Sequence, residues 1–240
     1  MSAFERLFRK PTAMMSTVRS VSRTHVGRVR AVNEDRILDR ADLGLWAVAD
    51  GMGGHSAGDV AAEFLINELA SWGEQNGGAG LRETVLRAHR NLIEMTSGEG
   101  GTTLVAMLAG EGEAQICWAG DSRAYLIRAG ELSQLTRDHS LVQGLLDAGL
   151  IDEAGSQNHP QASVITSALG VSTDPLIESR TLDVAPGDRV LLCSDGLSRS
   201  LSERDVAGAI ALAALADRLM TSALQRDGGD NVSLVLIEFA

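Results

Sequence analysis

Aromatic residues are scarce, at 3% of a 240-residue chain, so its core has to be aliphatic, built from Leu, Val, Ile and many Ala. Cysteine is nearly absent. Cys117 and Cys193 each sit inside an apolar run (QICWAGD and VLLCSD), which makes them buried, reduced thiols and leaves no partners for a disulfide framework or a zinc cage. The five histidines show no HxxxH spacing and the cysteines no CxxC. Long apolar runs are missing too. The longest covers residues 209–216, against the roughly 20 residues that a helix needs to cross a bilayer. Basic residues are outnumbered, 21 against 32 acidic, and the net charge of −11 argues against sequence-independent binding to nucleic acid or to an anionic membrane. The charged start, with Glu5, Arg6, Arg9 and Lys10 and no apolar stretch behind them, does not read as a secretory signal. We read residues 1–16 as a flexible leader and 17–240 as one domain of a soluble, cytoplasmic, monomeric protein.

What the chain does contain is punctuated by short β-rich runs, at residues 18–25, 43–49, 102–109, 114–119, 124–128, 177–184, 189–193 and 232–239. They alternate or are solidly apolar, with Gly, Asp or Asn at their ends. Between them lie helical patterns. In 59–72 the apolar Val60, Ala61, Phe64, Leu65, Leu69 and Trp72 share a face, with Ser56 and Asp59 placed as a capping box. Leu81, Val85, Leu86, Leu92 and Ile93 do the same in 81–95, and a further pair is expected at 141–148 and 203–225. Strands in hairpin order with paired helices inserted give packed sheets covered by helices, not a βαβ repeat.

Three of the strands end alike: LWAVADG at Asp50–Gly51, ICWAGDS at Gly120–Asp121 and VLLCSDG at Asp195–Gly196. Asp230 immediately precedes the last strand. Carboxylates gathered at one rim, none with an obvious basic neighbour, repel one another unless cations sit between them. Hard oxygen donors of this kind suit Mg²⁺ or Mn²⁺ rather than zinc. Nucleases and nucleotidyl transferases use such sites as well, so spacing alone does not name the reaction.

Further motifs narrow it. GRVRAVNED (27–35), VADGMGGHSAG (48–58), GTTLVA (101–106), WAGDSRAYL (118–126), LTRDHSLVQ (135–143), HPQASVITSALG (159–170), GDRVLLCSDGLS (187–198) and DGGDNVSLVLI (227–237) follow in that order. Through them the chain, from residue 18 onward, resembles the PPM (PP2C-like) metal-dependent serine/threonine protein phosphatases of bacteria. The resemblance implies an α+β fold, a β-sandwich of two mostly antiparallel sheets flanked by helix pairs. It also implies two core Mn²⁺ or Mg²⁺ ions, with a weaker third. By position, Asp50 would bridge the two ions, with the Gly51 carbonyl on one and Asp195 and Asp230 on the other. Glu34 would hold a coordinated water, and Asp121 with Asp195 would hold the third ion. Arg30 would bind the substrate phosphate, where a guanidinium fork suits two oxygens, and His55 would protonate the leaving alkoxide. Thr102 and Thr103 are read as strand packing, Asn231 as orienting the loop of Asp230, and Trp46, Trp72 and Trp118 as core. His139 and His159 shape the segment 138–170, a flap beside the site in the family. There the family often carries an arginine, whereas this chain has Gln161, Ala162, Ser163 and Ser167.

Uncatalysed phosphomonoester hydrolysis is slow enough that enzymes supply up to ~10²¹-fold acceleration, while orientation yields effective molarities of at most roughly 10⁸ M. Charge neutralisation and an activated water have to supply the rest. The implied reaction is direct attack by water shared between two ions on phosphoserine or phosphothreonine in proteins, opposing a bacterial Ser/Thr kinase. Some stand-alone relatives act on type VI secretion regulators. Two rival readings are a non-catalytic phosphoprotein-binding regulator on the same fold and a metal-dependent nuclease.

Overall fold

The computed structural model describes residues 18–53, 57–71, 80–110, 112–157 and 159–240. The expected leader, the candidate proton donor His55, the capping Ser56 and Trp72 lie outside them.

The strands are β1 (Val18–His25), β2 (Asp35–Arg40), β3 (Leu45–Met52), β4 (Gly101–Thr102), β5 (Leu104–Ala109), β6 (Glu113–Ala119), β7 (Arg123–Arg128), β8 (Glu131–Gln134), β9 (Glu178–Asp183), β10 (Arg189–Cys193) and β11 (Val232–Phe239). Among the described residues they form a five-stranded sheet in the order β1-β11-β10-β7-β8 and a six-stranded sheet in the order β2-β3-β5-β6-β9, with β4 paired to β3. The ladders are antiparallel.

The central strands are apolar along their whole length because both of their faces are covered. Alternate residues point opposite ways. Val235 and Ile237 of β11 face inward with Val190 and Leu192 of β10, meeting Trp46, Val48, Val105, Met107 and Trp118 of the other sheet. Leu234 and Leu236 face outward, onto Leu215 and Leu219 of the helix Leu212–Arg226. On the opposite side Ala47, Ala49, Leu104 and Ala106 meet the helices Ala57–Ala70 and Leu81–Thr96. Leu65 and Leu69 on the first, and Leu81, Val85, Ala88 and Leu92 on the second, recur at the three- and four-residue steps that keep one helical face turned to the sheet. The sequence expectation of a helix-flanked α+β sandwich holds, with Trp46 and Trp118 in the core and both cysteines buried and free. Among the described residues no helix is long and apolar enough to cross a membrane.

Several boundaries differ from the sequence reading. The strand expected at 43–49 begins at Leu45, behind a 3-10 turn Ala41–Leu43 closed by Gly44 at φ 64°. It then runs on to Met52, so Asp50 and Gly51 belong to the ladder, opposite Asp35 and Thr102. The helix expected at 203–225 is two, Glu203–Val206 and Leu212–Arg226, with Gly208 at φ +91° between them. Its expected companion, Leu141–Asp147, buries no residue and belongs to the 138–170 segment. β2 and β8 were not anticipated, nor was the short helix Asp195–Ser198.

Candidate active site

Of the four acids singled out in the sequence, Asp50 sits within the β3 ladder and Asp121, Asp195 and Asp230 sit just beyond strand ends, and their charges act on one another. Asp50 feels Asp35, Asp195, Asp121 and Asp230. Hydroxyl groups on neighbouring residues fix the acid-bearing turns. Thr103 Oγ1 accepts from the Asp50 amide (3.2 Å) and meets Ser122 Oγ at 2.7 Å, which ties the Asp50 strand to the Asp121 turn. Ser194 Oγ donates to Asp35 Oδ2 (2.8 Å) and accepts from the Ser233 amide (3.0 Å). That hydroxyl therefore joins β2 of one sheet to β10 and β11 of the other, beneath Asp195 and Asp230. Reading Thr102 and Thr103 as strand packing alone is corrected here: Thr102 Oγ1 also donates to the Asp50 carbonyl (3.0 Å).

Two glycines permit this crowding. A Cβ on Gly51 would stand 2.2 Å from the Gly58 carbonyl oxygen, and one on Gly196 would stand 2.1 Å from that of Asn231. Each glycine lets a neighbouring backbone close onto the acid before it, which is how carboxylates far apart in sequence come to share a rim.

The electrostatic consequence is severe. Burial, and then the charge of Asp35 and the other carboxylates, hold Asp50 well above the ordinary carboxylate range. Burial and the neighbouring Asp195 push Asp121 up to about 7. Asp35 also rises to about 7, through burial that its serine hydrogen bonds only partly offset. Asp195 is raised by burial, against the pull of Arg199. Buried oxygens Oδ1 of Asp35, Asp121 and Asp195 have no hydrogen-bond partner. Unsatisfied, mutually repelling, all-oxygen donors fit a hard divalent cation. Among the described residues no three His, Cys, Asp or Glu side chains are already arranged to share an ion.

Two arginines stand where the sequence reading expected no basic neighbour, and that expectation is corrected. Arg30 Nη2 donates to Asp230 Oδ2 at 2.8 Å, and Arg199 pairs with Asp195 one helical turn earlier. Arg30 is held up by that carboxylate, yet its side chain is half exposed. The loop that carries it is stapled by Asn231, whose Nδ2 donates to the carbonyls of Val26 (2.8 Å) and Val32 (3.0 Å) while its Oδ1 accepts from the Glu34 amide (2.8 Å). Glu34 accepts from the Gly51 amide through its own carbonyl (3.2 Å). Asn231 thus positions the Arg30–Glu34 loop and the Asp230 turn together, as its sequence position implied.

The 138–170 segment hangs from the same acid-bearing turns. His139 donates its backbone N–H to the Gly120 carbonyl (2.9 Å), and its Nδ1 accepts from the Gly120 amide (3.2 Å). With Nδ1 accepting, Nε2 carries the proton towards Glu178 Oε2, 3.0 Å away. At the other end Leu169 exchanges hydrogen bonds with Thr102 (2.9 and 3.0 Å), which lies opposite Gly51. His159 Nδ1 accepts from the Gln161 amide (3.2 Å). In place of an arginine, Ser167 accepts from the Leu176 amide at 2.9 Å.

Asp35, Ser194, Ser122 and Arg199 escaped the sequence reading. Asp35 closes the GRVRAVNED motif with no role assigned to it there, and Arg199 became legible only once Asp195 opened a helix. A sandwich with an oxygen-rich acidic rim and a guanidinium across it defines a class of site suited to divalent cations and an anionic ligand. Residues 24–233 match the family model described as protein phosphatase 2C, and the chain belongs to that family. It is 40% identical over 234 residues to the serine/threonine protein phosphatase PstP of Mycobacterium tuberculosis, covering 92% of this chain but 45% of that protein. The chain therefore spans about half the length of that relative. The solved catalytic domain of PstP in complex with two manganese ions superposes with a TM-score of 0.80 at 36% identity, covering 92% of this chain and 98% of that one. PppA, described as a key regulatory component of T6SS in Pseudomonas aeruginosa, gives a TM-score of 0.79 at 34% identity, covering 93% and 98%.

Proposed function

We propose that this chain hydrolyses phosphoserine and phosphothreonine esters in proteins, using water as the acceptor and two Mn²⁺ or Mg²⁺ ions as cofactors. The observation that carries the reading is the meeting of Asp50, Asp121, Asp195 and Asp230 at one rim, with a buried, partnerless oxygen on Asp121 and on Asp195. The manganese complex of PstP supports it.

In this reading Asp50, the Gly51 carbonyl, Asp195 and Asp230 would hold the two ions, and Glu34 would steady a water. When bound, the ions neutralise phosphoryl charge and bring water towards a pKa of ~7. The remaining work belongs to the chain. Arg30 is paired with Asp230 and half exposed, so it is free to trade that carboxylate for two phosphate oxygens. Thr103 and Ser122 hold the Asp50 and Asp121 turns fixed, and Ser194 does so for Asp195. His55 gives the proton to the departing alkoxide. A cysteinyl-phosphate route has no support: burial pushes both Cys117 and Cys193 up to about 12, so neither offers a thiolate.

Purified protein with Mn²⁺ should turn over p-nitrophenyl phosphate and a phosphothreonine peptide, and lose both activities in EDTA. Asp195→Ala or Asp230→Ala should drop turnover to background while the protein still melts cooperatively. Wild-type turnover by either variant would refute the assignment. A nuclease is disfavoured by the net charge of −11, and plasmid left intact in the same Mn²⁺ buffer removes it. Its targets we place among the substrates of a cognate Ser/Thr kinase. The similarity to PppA makes type VI secretion regulators the first to examine in the phosphoproteome of a deletion strain.

A further inference from the structure

The resemblance assigns a weaker third ion to Asp121 and Asp195, and the structure pairs a guanidinium with one of those two acids. Arg199 leaves the helix Asp195–Ser198 at its C-cap, four residues after Asp195, and its Nη2 pairs with Asp195 Oδ2. The other oxygen of that carboxylate, Oδ1, is buried and has no protein partner. Asp195 therefore splits its two oxygens, with one taken by the arginine and one left buried without a protein partner. We propose that Arg199 is a resident cation standing in for the third ion, so that this chain takes two divalent ions and no third. The inference rests on the metal reading above.

Three arguments support it. Bridging of Asp121 and Asp195 by a further ion requires an oxygen of Asp195 besides the one the core ions would take, and Arg199 holds that second oxygen. A like charge fixed nearby opposes a further cation, and the positive charge of Arg199 acts on Asp121 as well as on Asp195. The tether is also short. A side chain one helical turn from its partner is presented to it by the backbone, whereas Arg30 reaches Asp230 from another part of the fold and is free to leave for phosphate. Arg199 is accordingly a positioning residue. It holds Asp195 in one rotamer and supplies, without exchange with solvent, the charge that a loosely held ion would bring.

Calorimetric titration of the metal-free full chain with Mn²⁺ tests this directly. The wild type should take up two ions per chain, and Arg199→Lys should do the same. Arg199→Asp, which replaces the cation by a further carboxylate facing Asp121 and Asp195, should gain a third, weaker uptake. With 40% of its side chain exposed, Arg199 tolerates replacement, and a thermal melt in EDTA confirms folding. A third uptake by the wild type overturns the proposal, as does a folded Arg199→Asp protein that stops at two. Should Arg199→Asp fail to fold, the wild-type count alone decides. No uptake by any variant would instead sink the metal reading itself, so the two failures are distinguishable.

Discussion

A carboxylate buried among others has two ways out of its predicament, a proton or a cation. Asp195 and Asp230 have found arginines, while Asp35, Asp121 and Asp195 each keep one oxygen with no partner. In the proposed mechanism Arg30 abandons Asp230 when phosphate arrives, so Arg30→Ala should separate two functions. Losing a charge-assisted contact of roughly 1.5–3 kcal/mol should lower kcat/KM by about 10- to 150-fold. Mn²⁺ should bind at least as tightly as in the wild type, because Asp230 is relieved of its rival. Arg30→Lys keeps the charge without the fork and should fall between. Weaker Mn²⁺ binding in Arg30→Ala would show that the arginine supports the acids instead of competing for them. The acids themselves were legible because each ends an apolar run beside glycine or starts one. The serines and threonine that lock their turns were not, since a hydroxyl beside an aspartate in sequence says nothing about which strand of the other sheet it will meet.

Elements differ in how much of their pattern is local. β1 and β11 fall where the sequence put them, Val18–His25 and Val232–Phe239, because a run buried or alternating along its whole length has no competing period. β2 and β8, read DRILDR and ELSQ, are edge strands whose outward charges erase the signal. The expected helix at 203–225 broke because helix propensity does not register the left-handed turn at Gly208. The 138–170 segment is a different kind of element, pinned at its ends and nearly coreless between them. Leu141 donates to the Val164 carbonyl at 2.9 Å, so the ends of the intervening stretch already touch, and the helix Leu141–Asp147 buries nothing. Replacing residues 142–163 by a short glycine linker should leave the melting temperature and p-nitrophenyl phosphate turnover nearly unchanged, while altering the ranking of phosphopeptides that differ in the flanking residues. Loss of small-substrate turnover in a folded variant would place the segment in the chemistry itself, not in substrate choice.

For the molecule as a whole, the acidic rim adds to a net charge of −11, and both oppose folding through self-repulsion. The sign of the pH effect follows from the direction of the shifts. Burial raises Asp35 and Asp121 from 3.8 to about 7, so between those values the folded chain holds protons that the unfolded chain has released. Their contribution to stability is complete below about pH 4 and is lost as pH rises through about 7. Asp188 works the other way: its hydrogen bond to Arg128 lowers it, and that stability disappears only in acid. The urea midpoint of the protein in EDTA should therefore be highest near about pH 5 and fall by about pH 8. Saturating Mn²⁺ should remove the decline and raise the midpoint most at the alkaline end, because a cation that binds only the folded site replaces the missing protons. A midpoint that climbs between pH 5 and pH 8 in the chelated protein would mean that the carboxylates gain from ionising where they stand, and the case for cations at this rim would lose its physical footing.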